Sequence, residues 1–237
     1  MKIYHQRNKI PSGWQLIETH SHILPVSQCS ELEYKELIDI YADNGYSGIF
    51  ITDHYNVDFE KVNFLESSFY ELYADAFEYA NKKNISALFG FELKFNPNVS
   101  ETHQDSEFLV YGADPQFLDK YPYIYNCNTI SDGLLTLKKL LFKEYGNSFL
   151  IIQAHPNRCK NGIIRNCNVD GIELYNGIEK AFVRLYMKLT FSGSDAHLPE
   201  HCCNNAVLLR DWNGTKEDFI HKIKKRQYSI YARALRS

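Results

Sequence analysis

The chain has 237 residues, 44% of them hydrophobic, which suffices for one large domain with a real core and falls in the size range of α/β barrels. A net charge of −3 and a pI near 6.3 exclude a global basic face that would draw the protein to nucleic acid or an anionic membrane, so a phosphorylated partner must be attracted locally. No stretch approaches the ~18 to 20 apolar residues of a membrane span, the first residues lack a leader's apolar segment, and the scattered cysteines contain no Cys-x-x-Cys pair, so the chain reads as cytoplasmic with reduced thiols.

Residues 14–20 have the alternating, β-rich character of a strand, and 31–44 place apolar residues at helical spacing before a glycine stop at Gly45. Residues 47–52 read as a buried strand, 59–83 as a long helical region and 85–91 as the next strand. Further strands follow at 107–111, 149–154, 171–175 and 189–192, with helices at 132–144 and 179–188 between some of them. A strand at 206–209, a helix at 215–225 and a strand at 227–231 end the chain. Repeated strand and helix units imply a mainly parallel sheet, doubly wound or closed into a barrel. No repeat, low-complexity tract or linker interrupts residues 1–237, so a single α/β domain is expected. The longest irregular piece, 96–106, reads as an active-site loop.

Histidines and acids gather where these strands end, the end at which parallel barrels and open α/β sheets carry their sites. In Glu18-Thr19-His20-Ser21-His22, alternate residues of an extended strand share a face, so two imidazoles can chelate one ion. Thr52-Asp53-His54 ends a strand of apolar and small residues and directs His54 at the same mouth. In Gly90-Phe91-Glu92 an acid follows a buried apolar run, a costly position unless it meets a cation. The strand before His155 stops there, and Pro156 ends its pairing. Gly193-Ser194-Asp195-Ala196-His197 supplies a second alternating pair. One His-x-His pair is a weak signal, whereas five groups in order, each at a strand end, are specific.

On these five groups the sequence resembles the PHP (polymerase and histidinol phosphatase) family of metal-dependent phosphoesterases, in family order and over most of the chain. The resemblance implies a distorted TIM-like (β/α)7 barrel with two or three divalent ions, zinc, manganese or iron, at the C-terminal ends of the strands. It also implies roles. His20, His22, Glu92 and Asp195 would hold a first metal, Glu92 would bridge to a second held by His155, and His54 and His197 would serve a third. Two positions depart from the family pattern. Many members carry a histidine or aspartate ligand some five or six residues after the His-x-His pair, where this chain has Ser27-Gln28-Cys29. Cys29 is read as a small buried thiol in preference to a soft ligand suited to zinc. The strand 107–111 commonly opens with a histidine ligand, and here Glu107 holds that place and is favoured for the second metal's shell, with His103 upstream as its substitute. The opening run from His20 to Pro25 also looks like the start of bacterial capsule-associated tyrosine phosphatases, without their acidic and glycine-rich continuation.

The expected activity is hydrolysis of a phosphate ester on a small phosphorylated substrate, similar to a histidinol phosphatase. Metals bridged by Glu92 would lower the pKa of a bound water so that hydroxide attacks phosphorus in line. Arg158 would fork onto the phosphoryl oxygens, and His54 or a water near Asp53 would assist departure of the alcohol. Glu173, in an apolar strand, would orient a ligand histidine or form an interior ion pair. The basic run 222–226 reads as a solvated helix face, and nucleic-acid contact there is not favoured because no stacking platform accompanies it. A nuclease or phosphodiesterase, another metal-dependent hydrolase and a non-catalytic metal-binding module are the alternatives.

Overall fold

The computed structural model describes residues 3–5, 10–57, 69–100, 104–156, 162–164, 166, 168–175 and 189–232. Within them the strands are β1 (Ile3–His5), β2 (Trp14–Glu18), β3 (Tyr46–Ile51), β4 (His54–Tyr55), β5 (Ser86–Lys94), β6 (Asn96–Pro97), β7 (Glu107–Tyr111), β8 (Asn126–Cys127), β9 (Leu150–Gln153), β10 (Gly171–Tyr175), β11 (Leu189–Ser192), β12 (Asn205–Arg210) and β13 (Tyr228–Ala232). The helices are α1 (Tyr34–Asp43), α2 (Phe69–Lys82), α3 (Gln116–Lys120), α4 (Ile130–Tyr145) and α5 (Lys216–Lys224). None of these helices is long and apolar enough to cross a membrane. The helix expected at 179–188 and the first part of the one expected at 59–83 lie outside the described residues.

Alternation along the strands builds two cores. Phe50, Leu109, Tyr111, Leu150 and Ile152 share an inner cluster with Ile17 and Phe191, whereas their neighbours Ile49, Ile51, Phe108, Val110 and Ile151 face an outer cluster. The outer layer packs against Leu37, Ile38 and Tyr41 of α1, Tyr73 and Ala76 of α2, and Leu134, Leu137 and Leu141 of α4. Each such fully buried aliphatic or aromatic side chain contributes about 1.5–3 kcal/mol. Thr129 and Thr215 cap α4 and α5 by accepting from the amides of Asp132 and Asp218, which fixes where these helices start.

The sheet is eleven-stranded, in the order β1-β13-β12-β2-β3-β5-β7-β9-β10-β11, with β4 paired to β5. The run from β2 to β11 curves into a nearly closed TIM-like barrel wall. At its lower part, β12 and β13 occupy the interval between β11 and β2, where Thr190 N donates to the Tyr228 hydroxyl at 3.0 Å and Ser192 Oγ to Tyr231 O at 3.0 Å. At the upper mouth the wall closes on itself. Ser21 and Ala196 form a parallel bridge, with His22 N donating to Ala196 O at 3.0 Å and Ala196 N to His20 O at 3.2 Å. Phe219 of α5 plugs the interior, its ring 4.7 Å from Phe50 and 6.0 Å from Tyr111.

Two strands correct the expectation of a mainly parallel sheet: β12 runs antiparallel to β13 and β2, and β7 is reversed as well. β7 runs antiparallel to both β5 and β9, with Lys94 opposite Glu107 and Glu92 opposite Leu109. The described part of the β5–β7 link carries only β6, a direct return that suits antiparallel pairing, whereas a parallel neighbour needs a crossover. Reversal brings the first residue of β7, rather than its last, to the upper mouth.

Candidate metal centre

Residues just beyond the strand ends are tied to one another by backbone bonds around the mouth. Thr52 N donates to Ser21 O at 2.8 Å, Glu92 N to Asp53 O at 2.9 Å, and Ala154 N to Glu107 O at 2.9 Å. Asp195 and His155 adopt positive φ, +52° and +21°, a conformation that costs a non-glycine residue about 1–3 kcal/mol and concentrates at functional sites. This frame points eight histidine and carboxylate side chains at one place.

Glu92 is the hub. Its Oε1 lies 3.2 Å from His20 Nε2 and 3.0 Å from His155 Nε2, while Oε2 lies 2.8 Å from His54 Nδ1 and 3.6 Å from His22 Nε2. Asp195 Oδ1 stands 3.4 Å from His20 Nε2, from His22 Nε2 and from His197 Nδ1. Glu107 Oε2 approaches His155 Nε2 at 3.4 Å from the reversed β7. The structure therefore brings together His20, His22, His54, Glu92, Glu107, His155, Asp195 and His197. His103 and Arg158 lie outside the described residues.

The residues fit divalent metal. His20, His22, Glu92 and Asp195 are fully or almost fully buried, yet Nε2 of His20 and Nε2 of His22 lack a hydrogen-bond partner. Buried polar atoms left that way cost about 1–3 kcal/mol each, and they converge on the donor types that zinc, manganese or iron accept. Electrostatics agree. Burial pushes Glu92 up, but His20 and His54 override it and hold the carboxyl well below its ordinary range. Burial and then the Glu92 charge push Glu107 up to about 7, as expected of two crowded carboxylates sharing too little positive charge. Burial, with His54 beside it, keeps His22 well below the usual imidazole value, hence in the neutral form that binds metal.

A second layer sets the tautomers. Both oxygens of Glu173 lie 3.2 Å from His20 Nδ1, and Glu173 Oε2 accepts from His155 N at 3.1 Å, so His20 keeps its proton on Nδ1 and turns Nε2 to the centre. Ser27 Oγ donates to Asp53 Oδ1 at 2.7 Å and so must accept from His22 Nδ1, 3.1 Å away, which frees His22 Nε2 in the same manner. Glu18 joins the two chelating segments, its Oε1 accepting from the amides of Thr19, His20 and Ser194 at 2.8–2.9 Å and its Oε2 from the Tyr41 hydroxyl at 2.6 Å.

Two expectations need correction. Asp53 does not offer its carboxylate to the mouth. Oδ1 accepts from Ile23 N and Ser27 Oγ, and Oδ2 accepts from the Tyr73 hydroxyl at 2.8 Å, because strand alternation turns residue 53 outward toward α2. Burial pushes this carboxyl up to about 6 in spite of those donors. Asp53 thus ties Ile23 and Ser27 to Tyr73 of α2. Nor is Cys29 a buried thiol. It is exposed, and although burial alone would raise its thiol, the neighbouring His197 and His54 lower it to about 6.

Beside the cluster lies a cleft of about 250 Å³ lined by His54, Asn56, Val57, Lys94, Phe95, Asn96 and Glu107. Lys94 Nζ pairs with Asp105 at 3.0 Å. Lys94 and Asn56 carry no motif, but continuing the period-two pattern past Glu92 would have placed Lys94 on the same inner face.

No protein-family profile matches the sequence, and no curated protein matches it significantly. Among solved structures, one with a TM-score above 0.5 shares its fold. A two-domain protein from Bacteroides vulgatus containing a predicted PHP-like metal-dependent phosphoesterase superposes with a TM-score of 0.63 at 14% identity, over 96% of this chain and 68% of that one. A protein from Bifidobacterium adolescentis described as a candidate metal-dependent phosphoesterase matches at TM-score 0.49 and 13% identity, over 81% of this chain and 90% of its own. An amidohydrolase from Chromobacterium violaceum with bound sulfate matches at 0.44 and 15%, over 76% and 87%. The chain has the PHP-like barrel fold.

Proposed function

We propose that the protein is a metal-dependent phosphoesterase acting on a small phosphate ester. The observation that carries this reading is the buried convergence of four imidazoles on Glu92, with Nε2 of His20 and of His22 lacking a hydrogen-bond partner. When bound there, divalent ions would make hydroxide available near neutral pH and offset charge on phosphoryl oxygens.

The chain's own residues do the rest. His20, His22, Glu92 and Asp195 would hold one ion, and Glu92, His155 and Glu107 would hold its neighbour. Glu173 and Ser27 keep the imidazole nitrogens aimed inward. The adjoining cleft takes the alcohol part of the substrate. Its modest volume of about 250 Å³ and the Asn56, Asn96 and Lys94 side chains in its lining suit a small polar group. Arg158 would fork onto phosphoryl oxygens, as the sequence suggests.

The test is elemental analysis of protein purified without chelator, paired with a panel of phosphomonoesters, phosphodiesters and amides. The expected result is about two to three divalent ions per chain and turnover of small monoesters. Asp195→Ala should lose both metal and turnover, by more than the roughly 10–100-fold typical of an outer-layer partner. Turnover by a metal-free Asp195→Ala protein would sink the scheme, and cleavage of diesters or amides alone would reassign the substrate class.

A further inference from the structure

We propose that Glu18 is a positioning residue for the ion shared by His20 and Asp195: its buried carboxylate sets the spacing between the two segments that carry them and leaves the neighbouring ion untouched. This rests on reading the cluster as a metal centre and adds to it a residue that acts only through the backbone.

Glu18 ends β2 and is fully buried. Its Oε1 accepts from Thr19 N at 2.9 Å, His20 N at 2.9 Å and Ser194 N at 2.8 Å, and its Oε2 accepts from the Tyr41 hydroxyl of α1 at 2.6 Å. These donors fill the roughly four acceptor positions of a carboxylate, which is what permits such a group to lie out of water. Two of the amides belong to the segment of His20, and the third belongs to the turn that leads into Asp195. That turn is gripped from its other side as well, with Asn205 N donating to Ser194 Oγ at 3.1 Å and Asn205 Nδ2 to Gly193 O at 3.1 Å. Its next residue, Asp195, has a φ of +52°, uncommon for a residue with a side chain. Directly above Glu18 the two segments pair through the Ser21–Ala196 bridge. Oε1 is therefore the one atom bonded to both segments where they first meet.

His20 Nε2 and Asp195 Oδ1 lie 3.4 Å apart, one from each segment. Any slip between the segments changes that separation directly, and metal–ligand distances tolerate only about ±0.2 Å. The neighbouring ion's other ligands are placed differently. His155 follows β9 and Glu107 opens β7, whereas the hydrogen bonds of Glu18 among the described residues run to the end of β2, to the 193–195 turn and to α1. Glutamine at position 18 would keep one oxygen for the amides, lose the charge and turn an NH2 group toward the Tyr41 hydroxyl. Alanine would leave the three amides without their acceptor.

The experiment strips full-length wild type, Glu18→Gln, Glu18→Ala and Asp195→Ala with chelator and titrates each with zinc against a chromophoric competitor. Amide NMR spectra and denaturant midpoints of the metal-free proteins are recorded in parallel. Glu18→Gln should weaken one zinc about 10–100-fold, the one that Asp195→Ala abolishes, and leave the other at its wild-type affinity, with Glu18→Ala weaker still at the same position. In metal-free Glu18→Gln the amide protons of Thr19, His20 and Ser194 should move upfield together, because their shared acceptor has lost its charge. A merely structural role would lower the denaturant midpoint and weaken every zinc alike, and that pattern would overturn the proposal. Should Glu18→Ala fail to fold, Glu18→Gln and its amide resonances decide the matter. Zinc uptake by wild type with the same affinities in Glu18→Gln would overturn the proposal while leaving the Glu92-centred reading intact. Failure of stripped wild type to take up zinc would overturn both.

Discussion

His20 can offer Nε2 to a metal only if Nδ1 keeps its proton, and Glu173 is the group that enforces this, buried and with both oxygens 3.2 Å away. Replacing it by glutamine keeps the volume but removes the charge and one acceptor. Glu173→Gln is expected to weaken metal binding about 10–100-fold in a chelator competition, with turnover restored at saturating metal. Unaltered affinity would reduce Glu173 to packing. A similar separation applies to Asp53. Tyr73→Phe leaves Asp53 Oδ2 buried without its donor, which should cost about 1–3 kcal/mol in a denaturant titration. If Asp53 only positions the 23–30 loop and His54, kcat at saturating metal stays near the wild-type value. A proton-transfer role would instead show as a displaced pH profile.

At the scale of elements, Gly193 marks where β11 meets β2. A Cβ there would lie 2.5 Å from His20 Cβ, 2.7 Å from Glu173 Oε1 and 3.0 Å from Thr19 Oγ1, so only glycine lets the two chelating segments approach. Gly193→Ala should cost about 1–3 kcal/mol as overpacking and also strip metal, because the displaced groups are His20 and the carboxylate that orients it. Metal content per folded molecule distinguishes this from simple destabilisation. The strand-end ligands were legible in the sequence because chelation imposes local spacing, as in 20–22 and 195–197, and because an acid after the apolar run 87–91 stands out. β5 was read as stopping at Phe91 because Glu92 and Lys94 are polar. Yet the alternation continues unbroken, with Leu93 outward and the two charged residues toward the mouth. The direction of β7 left no trace, since a period of two is the same read either way. Ser27, Tyr41 and Tyr73 were invisible for another reason: each meets its carboxylate across a fold-level contact, Tyr41 to Glu18 and Tyr73 to Asp53, that no local pattern encodes.

For the whole molecule, the two ends of the barrel are closed by different physics. Phe219 fills the interior with apolar contact, whereas the upper mouth is drawn together by segments that carry the ligands, with the Ser21–Ala196 bridge between them. Metal that binds only the folded state at 100 times its dissociation constant adds about 2.7 kcal/mol. For a chain of this length each kcal/mol corresponds to about 2–4 °C, so chelation should lower Tm by roughly 5–10 °C. Phe219→Ala should cost about 3–5 kcal/mol while leaving metal stoichiometry unchanged. The two effects should add, because the sites share no partner. They also differ in pH dependence. Protons compete with metal for imidazole and carboxylate, so the chelator-sensitive part of Tm is full when the ligands are deprotonated and is lost as pH falls through their titration. The Phe219 deficit contains no titrating group and persists into acid. A chelator that removes the metal at neutral pH without moving Tm would mean that the backbone ring closes the mouth unaided, and that the ligands are carried by the barrel without helping to hold it shut.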